Sequence, residues 1–176
     1  MRILAFAASN SSVSINRQLV EYAASLADGA EVEFLDIHDY EMPLYRHDRE
    51  EADGIPQLAH DFLARIGAVD ALIVSFAEHN GNYTAAFKNL FDWCSRLGRD
   101  VWQSKKMVIL ATSPGGRGGQ SVLEIATGAA PRFGAELVGH LSVPSFGENF
   151  DSEAGKLANA ELDAELRALV AKLSAA

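Results

Sequence analysis

Three polar segments of the chain carry most of the residues that are able to bind a charged or planar ligand. They are ASNSSVSIN at residues 8–16, AEHNGNYT at residues 77–84 and TSPGGRGG at residues 112–119. Each follows a short apolar run and precedes apolar residues at helical spacing. Hydroxyls, amides and free backbone N–H groups bind anions and polar ring edges, so these segments form the candidate site.

The first segment has the composition of a phosphate-binding loop at the start of a helix. Free backbone N–H groups and the positive end of a helix favour a phosphate there. A single serine would suffice as an ordinary helix N-cap, which is the alternative role, and the excess of hydroxyls favours phosphate. The candidates are Ser9, Ser11, Ser12, Ser14, Ile15 and Asn16.

Neither of two common nucleotide motifs is present in this segment. GxxxxGK[ST] is absent, so a nucleoside triphosphate clamp is not indicated. GxGxxG is also absent after the first apolar run, and the sequence does not support a Rossmann dinucleotide site.

The third segment surrounds one arginine with four glycines. Glycine lets the backbone approach a flat ligand closely and adopt positive φ. The exposed N–H groups, with the arginine, favour negative charge on a ring edge. A turn that only connects a strand to a helix is the alternative. The candidates are Ser113, Pro114, Gly115, Gly116 and Arg117.

The middle segment lies between the other two and is suited to contact a planar ring. Glu78, His79 and Asn80 are the predicted contacts, and Gly81 gives clearance. An ordinary Asn-Gly turn before a helix is an equally good interpretation of this stretch alone.

The elements that must position these segments alternate strictly between strand and helix. This alternation predicts an α/β fold, a three-layer sandwich with a five-stranded parallel sheet in the order 2-1-3-4-5 and helices on both faces. The length of 176 residues suits one domain over residues 1–176. The predicted strands are 2–8, 31–37, 71–76, 107–113 and 135–143, and the predicted helices are 15–27, 54–68, 85–94, 121–133 and 162–173.

In this strand order the polar segments follow three neighbouring strands. The connections from strands 1 and 3 leave in opposite directions, and ligands of such sheets bind in the crevice beyond the carboxyl ends. We therefore expect the three segments to converge on one elongated site.

Composition excludes several classes of function. The formal net charge is −9, so nucleic acid is an unfavourable partner. No apolar stretch approaches the ~20 residues of a membrane span. A single cysteine, Cys94, excludes an internal disulfide and is compatible with a reducing compartment, which we take to be the cytoplasm. The five histidines lack the spacing of metal ligands, so no metal site is predicted.

Two further features concern packing. Residues 39–53 are predicted to be an irregular loop with a functional or subunit-contacting role. Trp93 is predicted to lie beside, rather than within, the apolar stripe of its helix. That stripe consists of Phe87, Leu90, Phe91 and Cys94.

These residues resemble the NADPH-dependent FMN reductase family, whose fold is flavodoxin-like, from the first strand to about Phe150. The most specific parts are NYTAAFKNLFDW and TSPGGRGG. The family's first loop, which is similar to Gly-Ser-x-Arg-x-x-Ser-x-Asn and binds the FMN phosphate, is matched at Ser9, Ser14 and Asn16. Ser11 stands where the family has arginine, and Ala8 replaces the glycine.

The family's middle motif is similar to Pro-Glu-Tyr-Asn. Here Ala77 and His79 replace the proline and the tyrosine. The residues that agree with the family around this motif are Glu78, Asn80, Lys88, Asn89, Asp92 and Trp93.

The resemblance implies an FMN-dependent NAD(P)H oxidoreductase. Electrons would pass from NADPH or NADH through FMN to a small acceptor, namely a free flavin, a quinone, an azo compound or a metal ion. The chemistry would take place on the flavin, so no side chain is predicted to be catalytic. His79 is a candidate acid or base whose alternative role is packing against the ring, and the Gly115–Gly116 backbone with Arg117 would favour the anionic reduced flavin.

The resemblance also implies a homodimer or homotetramer. Trp93, Trp102 and residues 39–48 would then contact another subunit, and packing within the chain is the alternative for the aromatic residues. A noncatalytic flavodoxin-like electron carrier or flavin-binding module is the alternative function.

Overall fold

Five parallel strands form the central sheet of the computed structural model, which describes residues 1–174. Two further pairs of short strands, β4-β5 and β8-β9, lie outside this sheet. In chain order all the strands are β1 (Arg2–Ala8), β2 (Glu31–Leu35), β3 (Ala71–Phe76), β4 (Glu78–His79), β5 (Asn82–Tyr83), β6 (Lys106–Thr112), β7 (Glu136–Val143), β8 (Phe150–Asp151) and β9 (Lys156–Leu157). The sheet order is β2-β1-β3-β6-β7, which is 2-1-3-4-5 in sheet terms and confirms the prediction. The prediction of one domain over residues 1–176 stays a prediction.

Seven α-helices and two short 3-10 helices accompany these strands within residues 1–174. The helices are α1 (Ile15–Ser25), α2 (His47–Asp53), α3 (Gln57–Gly67), α4 (Ala85–Leu97), α5 (Gln120–Ala129), α6 (Phe146–Asn149) and α7 (Ala160–Ser174), with 3-10 turns at Ile37–Tyr40 and Ala130–Phe133. Helices α1 and α7 pack on one face of the sheet, and α3, α4 and α5 pack on the other. Strand β3 is buried along its whole length because both faces are covered.

The register of the strands brings the three polar segments to one edge. Ala8 at the end of β1 lies opposite Phe76 at the end of β3, and Phe76 lies opposite Ala111 near the end of β6. Thr84 joins two of these connections, since its hydroxyl donates to the carbonyl of Ala8 at 3.1 Å and accepts the N–H of Phe87 as the N-cap of α4.

The segment predicted to be irregular over residues 39–53 contains regular structure. It continues the 3-10 turn to Tyr40, runs extended and then forms α2, none of whose side chains is buried. Polar side chains of α4 hold the extended part: Asn89 Nδ2 donates to the carbonyl of Met42 at 3.0 Å and Asn89 Oδ1 accepts the N–H of Tyr45 at 2.8 Å. The local pattern missed this helix because α2 has no buried stripe.

The prediction that Trp93 lies beside the core stripe is wrong. Its side chain is completely buried, and Nε1 donates to the carbonyl of Pro43 at 2.7 Å. Trp102 is buried as well and packs against Phe91. Both indoles are covered by the chain's own residues, so the expectation that they contact another subunit is replaced by packing within the chain.

Cys94 lies in the core, as its helical neighbours indicated. It is completely buried, and burial raises the pKa of its thiol to about 12. The thiolate is the reactive form, and a free thiol with pKa near 8.5 is already about one-quarter thiolate at pH 8. The native Cys94 thiol, buried and with its pKa raised, should stay unreactive at that pH. Labelling with a chromogenic disulfide reagent should give no reaction in the native protein and one equivalent in guanidinium chloride. Rapid native labelling would contradict the burial of Cys94.

Candidate functional site

A cleft of about 290 Å³ lies where β1, β3 and β6 end. All three polar segments contribute to its walls, as the sheet order predicted. The lining residues are Ser9, Ser11, Val13, Ser14, Ile15, Asn16, Ala77, Glu78, His79, Thr112, Ser113 and Pro114. The remaining predicted site residues belong to the same loops but lie outside this lining: Ser12, Asn80, Gly81, Gly115, Gly116 and Arg117.

Three serine hydroxyls fold the first loop by accepting backbone N–H groups. Ser9 Oγ accepts from Ser11 at 3.2 Å, Ser11 Oγ from Val13 at 3.4 Å and Ser14 Oγ from Arg17 at 3.2 Å. Ser14 is therefore the N-cap of α1, which confirms the capping alternative for this residue. Across residues 1–174 none of the three hydroxyls donates its own proton to the protein, so three O–H donors remain for a ligand.

The Asn16 side chain bonds to residues at the ends of two neighbouring strands, β3 and β6. Its Oδ1 accepts the hydroxyl of Ser75 at 2.7 Å and the N–H of Thr112 at 3.2 Å, and its Nδ2 donates to the carbonyl of Thr112 at 3.3 Å. The side chain is buried among these partners. The groups of Ile15 and Asn16 that are suited to a ligand are their backbone N–H groups, which belong to the first helical turn and have no intrahelical acceptor.

The middle segment is a β-hairpin rather than a plain turn before a helix. Strands β4 and β5 pair antiparallel, and the two residues between them, Asn80 and Gly81, have φ of 53° and 75°. Two left-handed residues are typical of a type I′ turn, which explains this Asn-Gly pair. His79 is exposed and faces the cleft. Glu78 is half-buried and accepts the N–H of Val122 in α5 at 3.0 Å.

The glycine-rich loop is anchored through its carbonyl groups. The carbonyls of Ser113 and Gly115 accept the N–H groups of Phe146 and Ser145 at 3.1 and 3.0 Å. Among residues 1–174, the N–H groups of Gly115, Gly116 and Arg117 donate to no protein acceptor. Cβ atoms built at Gly115 and Gly116 meet nothing within 4 Å, so free donors border open space.

Sequence reasoning missed one polar residue that organises the site, Ser75, and did not single out another, Thr112, although it begins the third segment. Both are buried, and both bond to Asn16 across the sheet edge. The available signal was a serine within the otherwise apolar run ALIVSF of β3. A buried hydroxyl needs a hydrogen-bond partner, but a sequence alone does not name that partner.

The donors fit a ligand with an anionic group at one end and a polar ring edge at the other. Hydroxyls and helix-start N–H groups lie at the first loop, and free N–H groups lie at the glycine-rich loop. Ser11 stands where the family's first loop has an arginine. The nearby Arg17 does not take the place of that arginine, because its guanidinium pairs with Glu21 at 2.9 Å and Asp36 at 3.0 Å. The chain's donors at the first loop are thus mostly neutral, and they fit the phosphate of FMN through hydrogen bonds.

A parallel 2-1-3-4-5 sheet with a cleft at the carboxyl ends of its inner strands defines a flavodoxin-like protein. Residues 1–148 match the model of the NADPH-dependent FMN reductase family. The chain belongs to this family. It is an NAD(P)H-dependent oxidoreductase whose cofactor is FMN.

Two relatives show the range of similarity in sequence. An uncharacterized protein of Mycoplasma pneumoniae, the MG342 homolog, is 29% identical over 150 residues, which are 81% of this chain and 86% of the relative. A quinone reductase of Escherichia coli K12 is 29% identical over 79 residues, which are 45% of this chain and 42% of that protein.

Solved structures share the fold at lower identity. FerB, a flavoenzyme NAD(P)H:(acceptor) oxidoreductase from Paracoccus denitrificans, superposes with a TM-score of 0.76 at 23% identity over 98% of this chain and 94% of that one. An FMN-dependent NADH-azoreductase from Bacillus anthracis, solved with FMN, gives 0.67 at 11% identity over 99% of this chain and 100% of that one. In the part of this chain that the structure describes, no helix is long and apolar enough to span a membrane.

Proposed function

We propose that the protein passes electrons from NAD(P)H through bound FMN to a small acceptor: a free flavin, a quinone, an azo compound or a metal ion. The free N–H groups of Gly115, Gly116 and Arg117, at the same sheet edge as the serine loop, carry this proposal. They supply donors for one end of the cofactor while the first loop supplies donors for the other. The partial similarity to a quinone reductase supports quinones as the first acceptors to test.

FMN supplies the redox chemistry when bound, because its ring accepts a hydride and releases the electrons afterwards. The chain's residues bind and orient. Hydroxyls of Ser9, Ser11 and Ser14, with N–H groups at the start of α1, would hold the phosphate. The N–H groups of Gly115 and Gly116 would donate to the polar edge of the ring, and preorganised donors of this kind stabilise negative charge that develops there.

The hairpin of β4 and β5 would cover the ring of FMN, in addition to the serine loop at the phosphate and the glycine-rich loop at the ring edge. His79 lines the cleft from its exposed position, and we propose that its imidazole packs against the ring. No side chain is needed as a nucleophile or as an obligatory acid or base, since bound FMN would supply the hydride chemistry.

We further propose that the protein acts in the cytoplasm as a homodimer or homotetramer. The single buried thiol supports a reducing compartment. A subunit interface would use exposed residues of the segment 41–48 rather than the buried indoles, and Leu44, which is 75% exposed, is suited to it.

The function is tested by spectroscopy on the purified protein. FMN should bind saturably and turn the protein yellow, and anaerobic NADPH or NADH should bleach it. Added quinone should restore the colour and sustain NAD(P)H oxidation. Saturable binding without turnover would favour the electron-carrier alternative, and no binding would defeat the proposal.

Ser9→Ala sharpens this test, because Ser9 lines the cleft without capping the helix. The loss of one hydrogen bond to a charged group should raise the Kd for FMN by roughly 10-fold. The Kd for riboflavin, which lacks the phosphate, should stay unchanged. Equal losses for both ligands would place Ser9 away from the phosphate.

A further inference from the structure

Helix α5 begins at the glycine-rich loop without a capping side chain of its own. Its N-cap is Gly119, at φ 75°, and no side chain there accepts a helix N–H. Glu78 accepts the N–H of Val122, the third residue of α5, at 3.0 Å. This is the hydrogen bond that an N-cap side chain ordinarily accepts. The cap of α5 therefore comes from the hairpin, 44 residues earlier in the chain.

Further contacts join the same two loops around Ser121. Arg117 Nη2 donates to Ser121 Oγ at 3.1 Å. A Cβ built on Gly81, at the tip of the hairpin, lies 3.9 Å from the Cβ of Ser121. The hairpin and the glycine-rich loop are thus fixed relative to each other at the first turn of α5.

The charge of Glu78 affects the same place. A helix N-terminus carries a partial positive charge, and a carboxylate that bonds to its N–H groups offsets that charge. Glu78 also lines the cleft. A negative charge at this position opposes any further negative charge that a ligand gains beside the free N–H groups of the glycine-rich loop.

We propose that Glu78 is a positioning residue that caps α5 from the hairpin and lowers the reduction potential of FMN in the cleft. The second part rests on the proposed function, because it requires FMN at this site. The carboxylate holds the two ring-binding loops together, and its charge makes reduced FMN bind less tightly, relative to oxidised FMN, than a neutral cap would.

Two variants separate the hydrogen bond from the charge. Glu78→Gln keeps an oxygen acceptor for Val122 and removes the charge, whereas Glu78→Ala removes both. Glu124→Gln is the matched control, because Glu124 is an exposed acid of the same helix whose side chain, among residues 1–174, accepts only from Gln120. The potential of bound FMN is measured by anaerobic titration against reference dyes, and thermal unfolding and amide exchange of Val122 are measured on FMN-free protein.

We expect Glu78→Gln to raise the ratio of the Kd of oxidised FMN to that of reduced FMN by about tenfold, which is a potential about 30 mV more positive. FMN-free Glu78→Gln should unfold near the wild-type temperature with its Val122 amide still protected. FMN-free Glu78→Ala should unfold a few degrees lower and exchange that amide faster. Glu124→Gln should match the wild type in each measurement.

Each failure overturns a different statement. A Glu78→Gln potential equal to that of the wild type, with FMN bound to both, overturns the electrostatic role. Unchanged unfolding and amide exchange in FMN-free Glu78→Ala overturn the cap. A wild-type protein that binds no FMN defeats the proposed function and the electrostatic role together, while the measurements on FMN-free protein still decide the cap.

Discussion

Replacing Asn16 with alanine is expected to lower the free energy of unfolding by about 2–4 kcal/mol, since the change leaves buried polar groups without partners and opens a small cavity. The Asn16 amide bonds to the hydroxyl of Ser75 and to both backbone groups of Thr112. These bonds join the first loop to the ends of β3 and β6. The substitution should also raise the Kd for FMN, because the serine loop and the glycine-rich loop lose their common attachment.

Urea unfolding followed by far-UV circular dichroism measures this effect. Asn10→Ala is the matched control, because Asn10 is exposed on the same loop and its loss should change stability by no more than about 0.5 kcal/mol. Asn16→Asp keeps the shape but turns a carboxylate oxygen toward the carbonyl of Thr112, so it should also destabilise although it opens no cavity. Wild-type stability of both Asn16 variants would show that the amide does not organise the sheet edge.

Replacing Gly118 with alanine should cost about 2–4 kcal/mol and displace the glycine-rich loop. Gly118 has φ of 58°, a left-handed conformation that is unfavourable for alanine. The added Cβ would lie 2.8 Å from the backbone N and 2.9 Å from the Cα of Pro144, and it would also clash with Ser142 Oγ. Backbone atoms cannot rotate aside as a flexible side chain does, so the loop must move.

The displacement should weaken FMN binding in addition to stability. Gly118 donates its N–H to the carbonyl of Gly115 at 3.1 Å, so a shift at position 118 disturbs the free donors beside Gly115. Titration of the wild type and of Gly118→Ala with FMN, at a temperature where both proteins remain folded, separates the loss of binding from the loss of stability.

Gly128→Ala is a control that should change stability in the opposite direction. Gly128 lies within α5, is exposed and has open space where a Cβ would stand. Alanine in a helix interior is better than glycine by roughly 0.5–1 kcal/mol, so this variant should be more stable than the wild type. If Gly118→Ala were as stable as Gly128→Ala, the close approach to Pro144 would not exist in solution.

The sequence by itself determined the architecture and the edge of the sheet at which the site lies. Apolar runs such as ALIVSF, separated by helical patterns, specify strands covered on both faces, and few strand orders satisfy such alternation. Local chemistry also offered, as alternatives to ligand binding, a serine N-cap for α1 and a tight Asn-Gly turn, and the structure contains both, at Ser14 and at Asn80 and Gly81. These features depend on residues within a few positions of one another, so they can be predicted from the local sequence.

Only the tertiary structure decided which polar side chains serve the protein and which remain for a ligand. Asn16 bonds to Thr112, 96 residues away, and Glu78 bonds to Val122, 44 residues away. Trp93 lies in the core, where the carbonyl of Pro43, from a different segment, accepts its indole N–H. Local periodicity indicates which face of an element is apolar, but the hydrogen-bond partner of a buried polar group is set by how distant segments come together.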